Sequence, residues 1–409
     1  MNYLVSTDKR TVSCSINLPS SKSISNRVLI INALTRNPLP VHNLSDSDDT
    51  EVMKKAFTAG TSHIDIGHAG TAMRFLTSYL ATKTGEWVLT GSERMKERPI
   101  GILVNALREL GADITFPEKE GFPPLKIRGK KLTGRCVELD GSVSSQYISA
   151  LLMIAPTLKG GLVLNLKNEI TSAAYIELTL SLMKQFGVES RWDGKKIEVP
   201  EQNYQPGEFS VEADWSGASY WYQLLALAET GDVFLENLRL DSRQGDANIA
   251  DWFGEFGITS EQKKTGVQLT KIPISDPEKM ELDFIENPDI AQTMACLCVS
   301  KKIPFRFSGL KTLKIKETDR IAALQKELAK FGAVLTEPAS GELVWDGVIH
   351  DRLIEDTPVI NTYHDHRMAL AFAPMALSGI QLRIDDPEVV SKSYPGYWND
   401  LRKAGFSVI

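Results

Sequence analysis

One pattern recurs along this chain of 409 residues: a segment that reads as a helix, then a glycine, then a short strand. A glycine directly after a helix closes the last turn in the left-handed backbone conformation, which other residues adopt only at a cost. An apolar strand and a polar junction precede each helix, so the repeating unit is strand, junction, helix, glycine and strand. The six glycines, which are 51, 76, 70, 75 and 73 residues apart, are Gly60, Gly111, Gly187, Gly257, Gly332 and Gly405.

This repeat restricts the fold class. Six units of about 70 residues exceed what one hydrophobic core can hold. Their spacing is too long and too uneven for a solenoid. The repeat therefore predicts a pseudo-symmetric α/β protein of two lobes, each built from three units.

The charge balance and the cysteines narrow the class of protein. The chain has 46 basic and 52 acidic residues, a formal net charge of −6, and so lacks the basic field that nucleic-acid binding requires. No apolar run reaches the length of a membrane span, and the first ten residues lack the apolar core of a signal peptide. We therefore expect a soluble, cytoplasmic protein that binds neither nucleic acid nor membranes. Its four cysteines have no C-x-x-C spacing and are expected to be reduced: Cys14, Cys136, Cys296 and Cys298.

The strand-to-helix junctions are the expected place for chemistry. Helix N-termini present unpaired N–H groups and the positive end of the helix dipole, so they favour anions. Several converging helix ends would form a cleft for a multiply anionic ligand. The junctions here are rich in cations, hydroxyls and carboxylates: Ser47 and Asp48, residues 94–98, Ser172 and Tyr175, residues 243–246, residues 316–320, and Lys392 with Ser393.

Four segments in the first part of the chain could bind an anion, and each has a purely structural alternative. The string L-P-S-S-K-S-I-S-N-R places Lys22, Ser23 and Arg27 on adjacent turns of one helix, which would equally suit a capped surface helix. The other three segments also have structural alternatives, which in chain order are a tight turn, a solvated charge run and ordinary helix capping. Those three are G-H-A-G-T-A-M-R with Gly70, L-T-G-S-E-R-M-K-E-R-P-I-G with Arg94, Lys96 and Arg98, and D-G-S-V-S-S-Q-Y with Ser144, Ser145 and Gln146.

The second part of the chain carries the candidate carboxylates. In N-P-D-I-A-Q-T, Asp289 opens an apolar helix, either as a catalytic group or as an ordinary partner of the helix dipole. In K-I-K-E-T-D-R, Lys316 and Arg320 are expected on one helix face at i, i+4 with Glu317 beside them, so that cations and a carboxylate act together. The H-x-H pair of H-D-H-R-M-A could ligate zinc, but no second cluster of metal ligands accompanies it, and we expect no metal. Lys392 lies at the last strand-to-helix junction.

Taken together and in this order, these segments resemble the 5-enolpyruvylshikimate-3-phosphate synthase family of enolpyruvyl transferases. The resemblance runs from Pro19 to Pro395, and it rests on K-S-x-S-N-R, A-G-T-A-M-R, R-M-K-E-R-P-I-G, S-V-S-S-Q, K-E-T-D-R and D-H-R-M-A. It implies two lobes of three βαβαββ units each, with the active site in the interlobe cleft. It also implies that residues 1–18 and 215–409 form lobe 1 and residues 19–214 form lobe 2.

The resemblance implies a reaction and its substrates. The family transfers the enolpyruvyl group of phosphoenolpyruvate to the 5-hydroxyl of shikimate 3-phosphate and releases phosphate, through a tetrahedral intermediate and without a cofactor or metal. The reaction belongs to the shikimate pathway of aromatic amino-acid biosynthesis. By motif match, shikimate 3-phosphate is expected at Lys22, Ser23, Arg27, Ser144, Ser145, Gln146, Ser172, Asp289 and Lys316. Phosphoenolpyruvate is expected at Lys22, Gly70, Arg98, Gln146, Arg320, Arg367 and Lys392.

Four residues are expected to be catalytic, given what the reaction requires. Asp289 is the candidate base that takes the proton of the attacking hydroxyl, and Glu317 is the candidate proton donor and acceptor at C3 of phosphoenolpyruvate. Lys22 and Lys392 would neutralise or protonate the phosphate that leaves. Substrate-driven closure of the lobes would exclude water.

The chain departs from the usual family pattern at a few positions. His68 and Phe75 stand where the family usually has Asn and Pro, Thr312 replaces an Asn, and Ala173 and Ala174 replace Lys-Pro. These changes bear on the shape of the phosphoenolpyruvate pocket and hence on inhibition by the analogue glyphosate. The resemblance also favours a monomer.

Two other functions fit the same scaffold. A UDP-N-acetylglucosamine enolpyruvyl transferase normally carries a cysteine in the loop that corresponds to residues 89–101, and this loop has none. A non-catalytic protein that binds phosphorylated metabolites would be expected to have lost Asp289, Glu317 or Lys22, and all three are present.

Overall fold

The computed structural model describes residues 2–58, 60–142 and 144–409, so Val143 of the S-V-S-S-Q string lies outside the described residues. The strands are β1 (Asn2–Ser6), β2 (Thr11–Asn17), β3 (Val41–His42), β4 (His63–Asp65), β5 (Gly85–Thr90), β6 (Asp113–Thr115), β7 (Leu125–Gly129), β8 (Cys136–Asp140), β9 (Leu162–Lys167), β10 (Arg191–Asp193), β11 (Lys196–Val199), β12 (Phe209–Ser210), β13 (Thr230–Glu236), β14 (Ile258–Lys263), β15 (Gly266–Lys271), β16 (Met280–Asp283), β17 (Phe305–Ser308), β18 (Leu343–Trp345), β19 (Val359–Ile360), β20 (Leu382–Asp385) and β21 (Ser407–Val408). The α-helices are α1 (Lys22–Leu34), α2 (Asp48–Thr58), α3 (Gly70–Thr82), α4 (Glu93–Lys96), α5 (Gly101–Glu109), α6 (Ser145–Ile154), α7 (Ala173–Gln185), α8 (Trp215–Leu227), α9 (Ile249–Gly254), α10 (Ala291–Lys301), α11 (Arg320–Ala329), α12 (His366–Phe372) and α13 (Tyr397–Lys403).

The chain folds into two compact units with separate cores. Unit 1 contains the residues up to Pro19 together with Glu212–Ile409, and unit 2 contains Ser20–Val211. Each unit has its own hydrophobic core of fully buried aliphatic and aromatic side chains. The Asp214 N–H donates to the Pro19 carbonyl at 2.9 Å, so the two chain crossings are adjacent within unit 1.

The strands of the described residues form six sheets, three in each unit. In the sheet β10-β11-β9-β8, the chain runs β8, α6, β9, α7, β10, β11, with β8 and β9 parallel and β11 antiparallel to both of its neighbours. The sheets β4-β5-β7-β6 and β14-β15-β13-β2 have the same order and directions. A parallel pair needs a helical crossover, so each repeat places a helix between its first two strands. This is the βαβαββ unit that the resemblance implies, and it contains the strand, helix and strand order of the repeat.

Two further sheets are variants of the same unit. In β19-β20-β1-β21, the strand β1 from the start of the chain takes the antiparallel position beside β20. The sheet β16-β17-β18 has the parallel pair and one antiparallel strand. A separate two-stranded sheet pairs β3 with β12.

The glycines that define the repeat all adopt the expected conformation. Their φ angles lie between 59° and 97°, and each follows the C-terminus of α2, α5, α7, α9, α11 or α13. After Gly111 the Ala112 N–H donates to the Leu107 carbonyl at 2.9 Å, which is the long bond that closes a helix in a Schellman motif. The prediction of six helix-closing glycines is confirmed.

Within the described residues, no helix is both long enough and apolar enough to span a membrane.

Candidate active site

Arg320, the first residue of α11, is surrounded by three carboxylates in unit 1. Its side chain is 2 % exposed. Nε donates to Asp365 Oδ2 at 2.6 Å and Nη2 donates to Asp365 Oδ1 at 3.2 Å. Nη1 donates to Asp289 Oδ1 at 2.7 Å, and Nη2 donates to Glu317 Oε2 at 2.9 Å. One buried guanidinium therefore fixes carboxylates from three separate segments.

Arg367 lies beside the same carboxylates, near the start of α12. Asp365 is the N-cap of this helix and accepts the backbone N–H of Arg367 at 3.0 Å. The guanidinium donates to Asp289 Oδ2 at 3.0 Å and to the Asp289 carbonyl at 3.2 Å. It also lies 3.3 Å from Ser216 Oγ and 3.4 Å from the Tyr220 hydroxyl, both on α8. Asp289 therefore binds both arginines at once.

Two lysines complete this arrangement. The Nζ of Lys392 donates to Glu317 Oε1, and the Nζ of Lys316 lies 3.5 Å from Asp289 Oδ1. We call the seven side chains together the unit 1 charge cluster: Lys316, Arg320, Arg367 and Lys392 with Asp289, Glu317 and Asp365. With four cations and three carboxylates, the cluster has a surplus of one positive charge.

The neighbouring cations keep Asp289 ionised. Burial alone would raise the pKa of Asp289, but the neighbouring cations, Arg367 foremost, outweigh it and hold the pKa well below its usual range. Burial lowers the pKa of Lys316, and the charge of Asp289 partly offsets this. Asp246 differs, because burial raises the pKa of its carboxyl to about 6; this carboxyl accepts the Ser216 hydroxyl.

The prediction that Lys316 and Arg320 of K-I-K-E-T-D-R lie on one helix face is wrong. Residues 316–318 form bends, and α11 begins only at Arg320. Its N-cap is Asp319, which accepts the N–H groups of Ile321 and Ala322 at 3.1 Å each. Lys316 and Arg320 nevertheless both contact Asp289. Attraction to this buried carboxylate fixes the loop and brings the two side chains together. Helical spacing, which was expected to place them side by side, is not the cause.

In unit 2, Arg27 joins the helices that carry the other predicted residues. Arg27 lies on α1, and its side chain is almost completely buried. Nε donates to Thr179 Oγ1 on α7 at 2.7 Å, and Nη2 donates to Ser149 Oγ on α6 at 3.2 Å. Nη1 donates to the carbonyl of Ser23 at 2.9 Å. Burial lowers the pKa of Arg27 to about 10, which still leaves it charged at neutral pH.

Gly70, Arg98 and Gln146 come together at the N-termini of α3 and α6. A Cβ added to Gly70 would lie 2.6 Å from Arg98 Nη1, so the guanidinium rests directly on this glycine. Gln146 Nε2 donates to Thr71 Oγ1 at 3.2 Å, which links the first turns of the two helices. Ser144 caps α6 by accepting the Gln146 N–H at 3.3 Å. The N-termini of two helices beside an arginine form an environment that suits a bound anion.

The remaining predicted residues of unit 2 also lie at helix starts. Lys22 is the first residue of α1 behind the N-cap Ser21, and its Nζ lies 3.8 Å from Oδ2 of the buried Asp49 on α2. Ser145 is the first residue of α6. Ser172 precedes α7 with a φ of 56°.

The two histidines of the H-x-H pair have different surroundings. The His364 side chain is 86 % exposed, whereas that of His366 is 3 % exposed. In the part of the chain that the structure describes, no group of three or more His, Cys, Asp or Glu side chains is arranged to hold a metal ion.

Comparison with known proteins identifies the family. The sequence model of the family described as EPSP synthase (3-phosphoshikimate 1-carboxyvinyltransferase) matches residues 7–60 and 54–401. A Bacteroides fragilis protein named 3-phosphoshikimate 1-carboxyvinyltransferase is 53 % identical over 100 % of this chain and 99 % of its own length. The chain belongs to the EPSP synthase family. A protein of the same name from Vibrio atlanticus is 38 % identical over 96 % of each chain.

The fold of EPSP synthase is also found among solved structures. The structure of EPSP synthase from Acinetobacter baumannii superimposes with a TM-score of 0.79, covering 100 % of this chain and 99 % of that one, at 22 % sequence identity. The predicted enolpyruvyl transferase fold is therefore confirmed.

Two departures from the EPSP synthase pattern have visible structural roles. His68 is exposed, and its Nδ1 lies 3.0 Å from Ser92 Oγ, just before the short helix α4. Phe75 is fully buried, and its ring centre lies 5.3 Å from Cζ of Arg27. Phe75 therefore covers Arg27 with an aromatic face, a contact that a proline could not supply.

Sequence reasoning left several contributing residues unassigned. Asp365 could have been found, because it precedes an apolar helix as Asp289 does. Ser149 and Thr179 carry no sequence signal, since they lie inside helices and become relevant only because Arg27 is buried against them. The same holds for Asp49, whose partner Lys22 is on a different helix.

Proposed function

We propose that this chain transfers the enolpyruvyl group of phosphoenolpyruvate to the 5-hydroxyl of shikimate 3-phosphate and releases phosphate. The observation that carries the proposal is the unit 1 charge cluster, in which Asp289 and Glu317 lie beside four cations. A reaction between two polyanions that also needs proton transfer requires this combination of groups. Full-length similarity to proteins named for this activity supports the assignment.

The addition step uses the two carboxylates. The 5-hydroxyl loses its proton to Asp289 as its oxygen forms a bond to C2 of phosphoenolpyruvate. The electron pair of the double bond takes a proton at C3 from the carboxyl of Glu317, which must be protonated at that moment. The product of this step is a tetrahedral intermediate that still carries the phosphate.

The elimination step reverses the transfer at C3. A proton leaves C3 for Glu317, the double bond forms again, and the bond between C2 and the phosphate oxygen breaks. Lys22 and Lys392 neutralise or protonate the departing phosphate. Because Lys392 contacts Glu317 directly, we assign it to the same end of the substrate.

Substrate binding would also adjust the basicity of Asp289. The charge of Asp289 is compensated by Arg367, Lys316 and Arg320, which makes it a weak base. When the phosphate and carboxylate of phosphoenolpyruvate share these cations, the compensation falls and the pKa of Asp289 rises toward the range where a base is effective.

We also propose how the two units, the ligand residues and an inhibitor correspond to those of the family. Units 1 and 2 correspond to the lobes of the family, the ligand residues are those given above by motif match, and Gly70 with Arg98 and Gln146 holds phosphoenolpyruvate. Glyphosate competes there as an analogue of that substrate. The enzyme acts as a cytoplasmic monomer and needs no cofactor or metal.

The test is a phosphate-release assay with both substrates and with each omitted in turn, followed by mass spectrometry of the product. We expect phosphate only when both are present, and a product heavier than shikimate 3-phosphate by one enolpyruvyl group. UDP-N-acetylglucosamine in place of shikimate 3-phosphate should give no release. Release with the nucleotide sugar, or none with shikimate 3-phosphate, would reject the proposal.

A further inference from the structure

The segment before α12 contains two consecutive residues in the left-handed backbone conformation. Tyr363 has a φ of 55° and His364 a φ of 56°. Neither is a glycine, so the turn costs free energy that its surroundings must supply. Asp365 follows directly, and Arg367 comes two residues later; both belong to the unit 1 charge cluster. Strain of this kind is often retained where it fixes a functional side chain.

Glu327 holds one side of this turn. Its side chain on α11 is 1 % exposed and accepts hydrogen bonds from three residues. The Tyr363 hydroxyl donates to Oε1 at 2.6 Å, and the Asn361 backbone N–H donates to Oε2 at 3.1 Å. Lys330 Nζ donates to Oε2 at 2.7 Å. A buried carboxylate with these donors is a rigid anchor, because moving any of them would remove a hydrogen bond from a buried acceptor.

The other side of the turn is held as well. His364 Nδ1 lies 2.9 Å from Asp386 Oδ2, which is an exposed contact. Beyond the turn, Asp365 is bound by Arg320 through two hydrogen bonds. Arg320 and Glu327 are seven residues apart on α11 and therefore lie on the same face of that helix. Two residues of α11 thus hold the segment: Glu327 binds Asn361 and Tyr363, and Arg320 binds Asp365.

We propose that Glu327 and Tyr363 are positioning residues that set the geometry of Asp365 and Arg367. The proposal rests on the proposed function, in which Arg367 and Arg320 bind phosphoenolpyruvate. Loss of the Tyr363 hydroxyl would let the strained turn relax, because the free energy that holds it left-handed would no longer be available. Asp365 would then shift, and the guanidinium of Arg367 would shift with the start of α12.

The first test is Tyr363→Phe, with Tyr3→Phe as the matched control. Tyr3 also donates its hydroxyl to a glutamate in the same unit, Glu388 at 2.9 Å. We expect Tyr363→Phe to lower kcat/KM for phosphoenolpyruvate by about ten- to a hundredfold, as displaced positioning groups do, while KM for shikimate 3-phosphate stays unchanged. Tyr3→Phe should leave both constants at wild-type values.

Glu327 is tested by two substitutions of graded severity. Glu327→Gln keeps an oxygen that can accept from Tyr363, whereas Glu327→Met does not. We expect the glutamine variant to retain more activity toward phosphoenolpyruvate than the methionine variant. Thermal melts are run alongside, and if Glu327→Met does not fold, Tyr363→Phe decides the question.

A second measurement separates this proposal from the proposed function. Nuclear magnetic resonance of ¹⁵N-arginine-labelled protein, with the signal assigned by Arg320→Lys, reports the Nε–H of Arg320 that is bound to Asp365. This resonance should move in Tyr363→Phe and remain in place in Tyr3→Phe. If wild-type protein releases no phosphate but the resonance moves, the positioning role stands and the function fails. If the resonance and the kinetic constants of Tyr363→Phe equal those of the control, or if both KM values rise equally, the positioning role is rejected.

Discussion

At the scale of the residue, the cations of the unit 1 charge cluster, which are expected to bind substrate, are paired with the carboxylates of the same cluster. Asp289 is shared by Arg320, Arg367 and Lys316, so its removal would both take away a base and leave these cations with less compensation. Glu317 can be changed more gently, since glutamine keeps its shape and loses only its ionisation.

We expect Asp289→Ala and Glu317→Gln to lower turnover by about 10²-fold or more, the scale of a positioned acid or base. Binding of shikimate 3-phosphate, measured by calorimetry, should persist, because most of its predicted ligands are in unit 2. The matched control is Glu281→Gln, which removes an exposed carboxylate from its lysine partner, Lys279, in the same unit. Near wild-type turnover in either active-site variant would exclude that residue from the mechanism.

Asp246 provides a prediction about stability and pH. Burial raises its pKa to about 6, whereas in the unfolded chain an aspartate titrates near 4. Its ionised form therefore destabilises the fold, a penalty that is absent below about pH 4, develops between about pH 4 and 6, and is complete above.

Asp246→Asn removes this penalty and can still accept the Ser216 hydroxyl through its amide oxygen. We expect it to raise the free energy of unfolding at pH 8 by on the order of 1–3 kcal/mol, with the difference vanishing toward pH 4. Urea unfolding of both proteins across this range measures it. A less stable variant at pH 8 would mean that attraction to Arg367 outweighs the cost of burial.

At the scale of the element, the sequence patterns predicted the architecture better than the local geometry of the site. The glycine repeat predicted the six helix ends, because helix closure depends on local chemistry, and the family resemblance predicted the βαβαββ order. The bends at residues 316–318 and the left-handed pair at Tyr363 and His364 could not be predicted from local sequence, because buried charges elsewhere in unit 1 determine them. Arg27 was identified as a ligand candidate, but its burial between α6 and α7 depends on Ser149 and Thr179, which lie more than 100 residues away.

Two glycines allow the repeat to be tested directly. Gly111 has a φ of 95° and Gly254, at the end of α9, has no left-handed φ; an added Cβ would meet no atom within 4 Å at either position. Gly111→Ala should therefore destabilise the protein by roughly 1–2 kcal/mol through backbone strain alone. Gly254→Ala should stabilise it by about 0.4–1 kcal/mol. Chemical denaturation of both variants measures the difference, and equal effects would contradict a helix-closing role for Gly111.

At the scale of the whole molecule, unit 2 is an insertion into unit 1. Because the Asp214 N–H and the Pro19 carbonyl are 2.9 Å apart, a short Gly/Ser linker could replace residues 20–211. We expect residues 20–211 alone, and the linked remainder, each to unfold cooperatively in circular dichroism melts, since each unit has its own core. Neither should release phosphate, because the proposed mechanism uses both Lys22 and Glu317, and each unit carries only one of them. A fragment that fails to melt cooperatively would show that its core needs the other unit.

The parallel pairing of β2 with β13 has a consequence for synthesis of the chain on the ribosome. The residues of β2 emerge first, yet their partner follows only after all of unit 2 has been translated. At about 5–20 residues per second, this delay is roughly 10–40 s, and β1 waits longer still for β20 and β21. Unit 2 can therefore complete its folding while the first two strands are still unpaired, which makes it the part of the nascent protein that folds first.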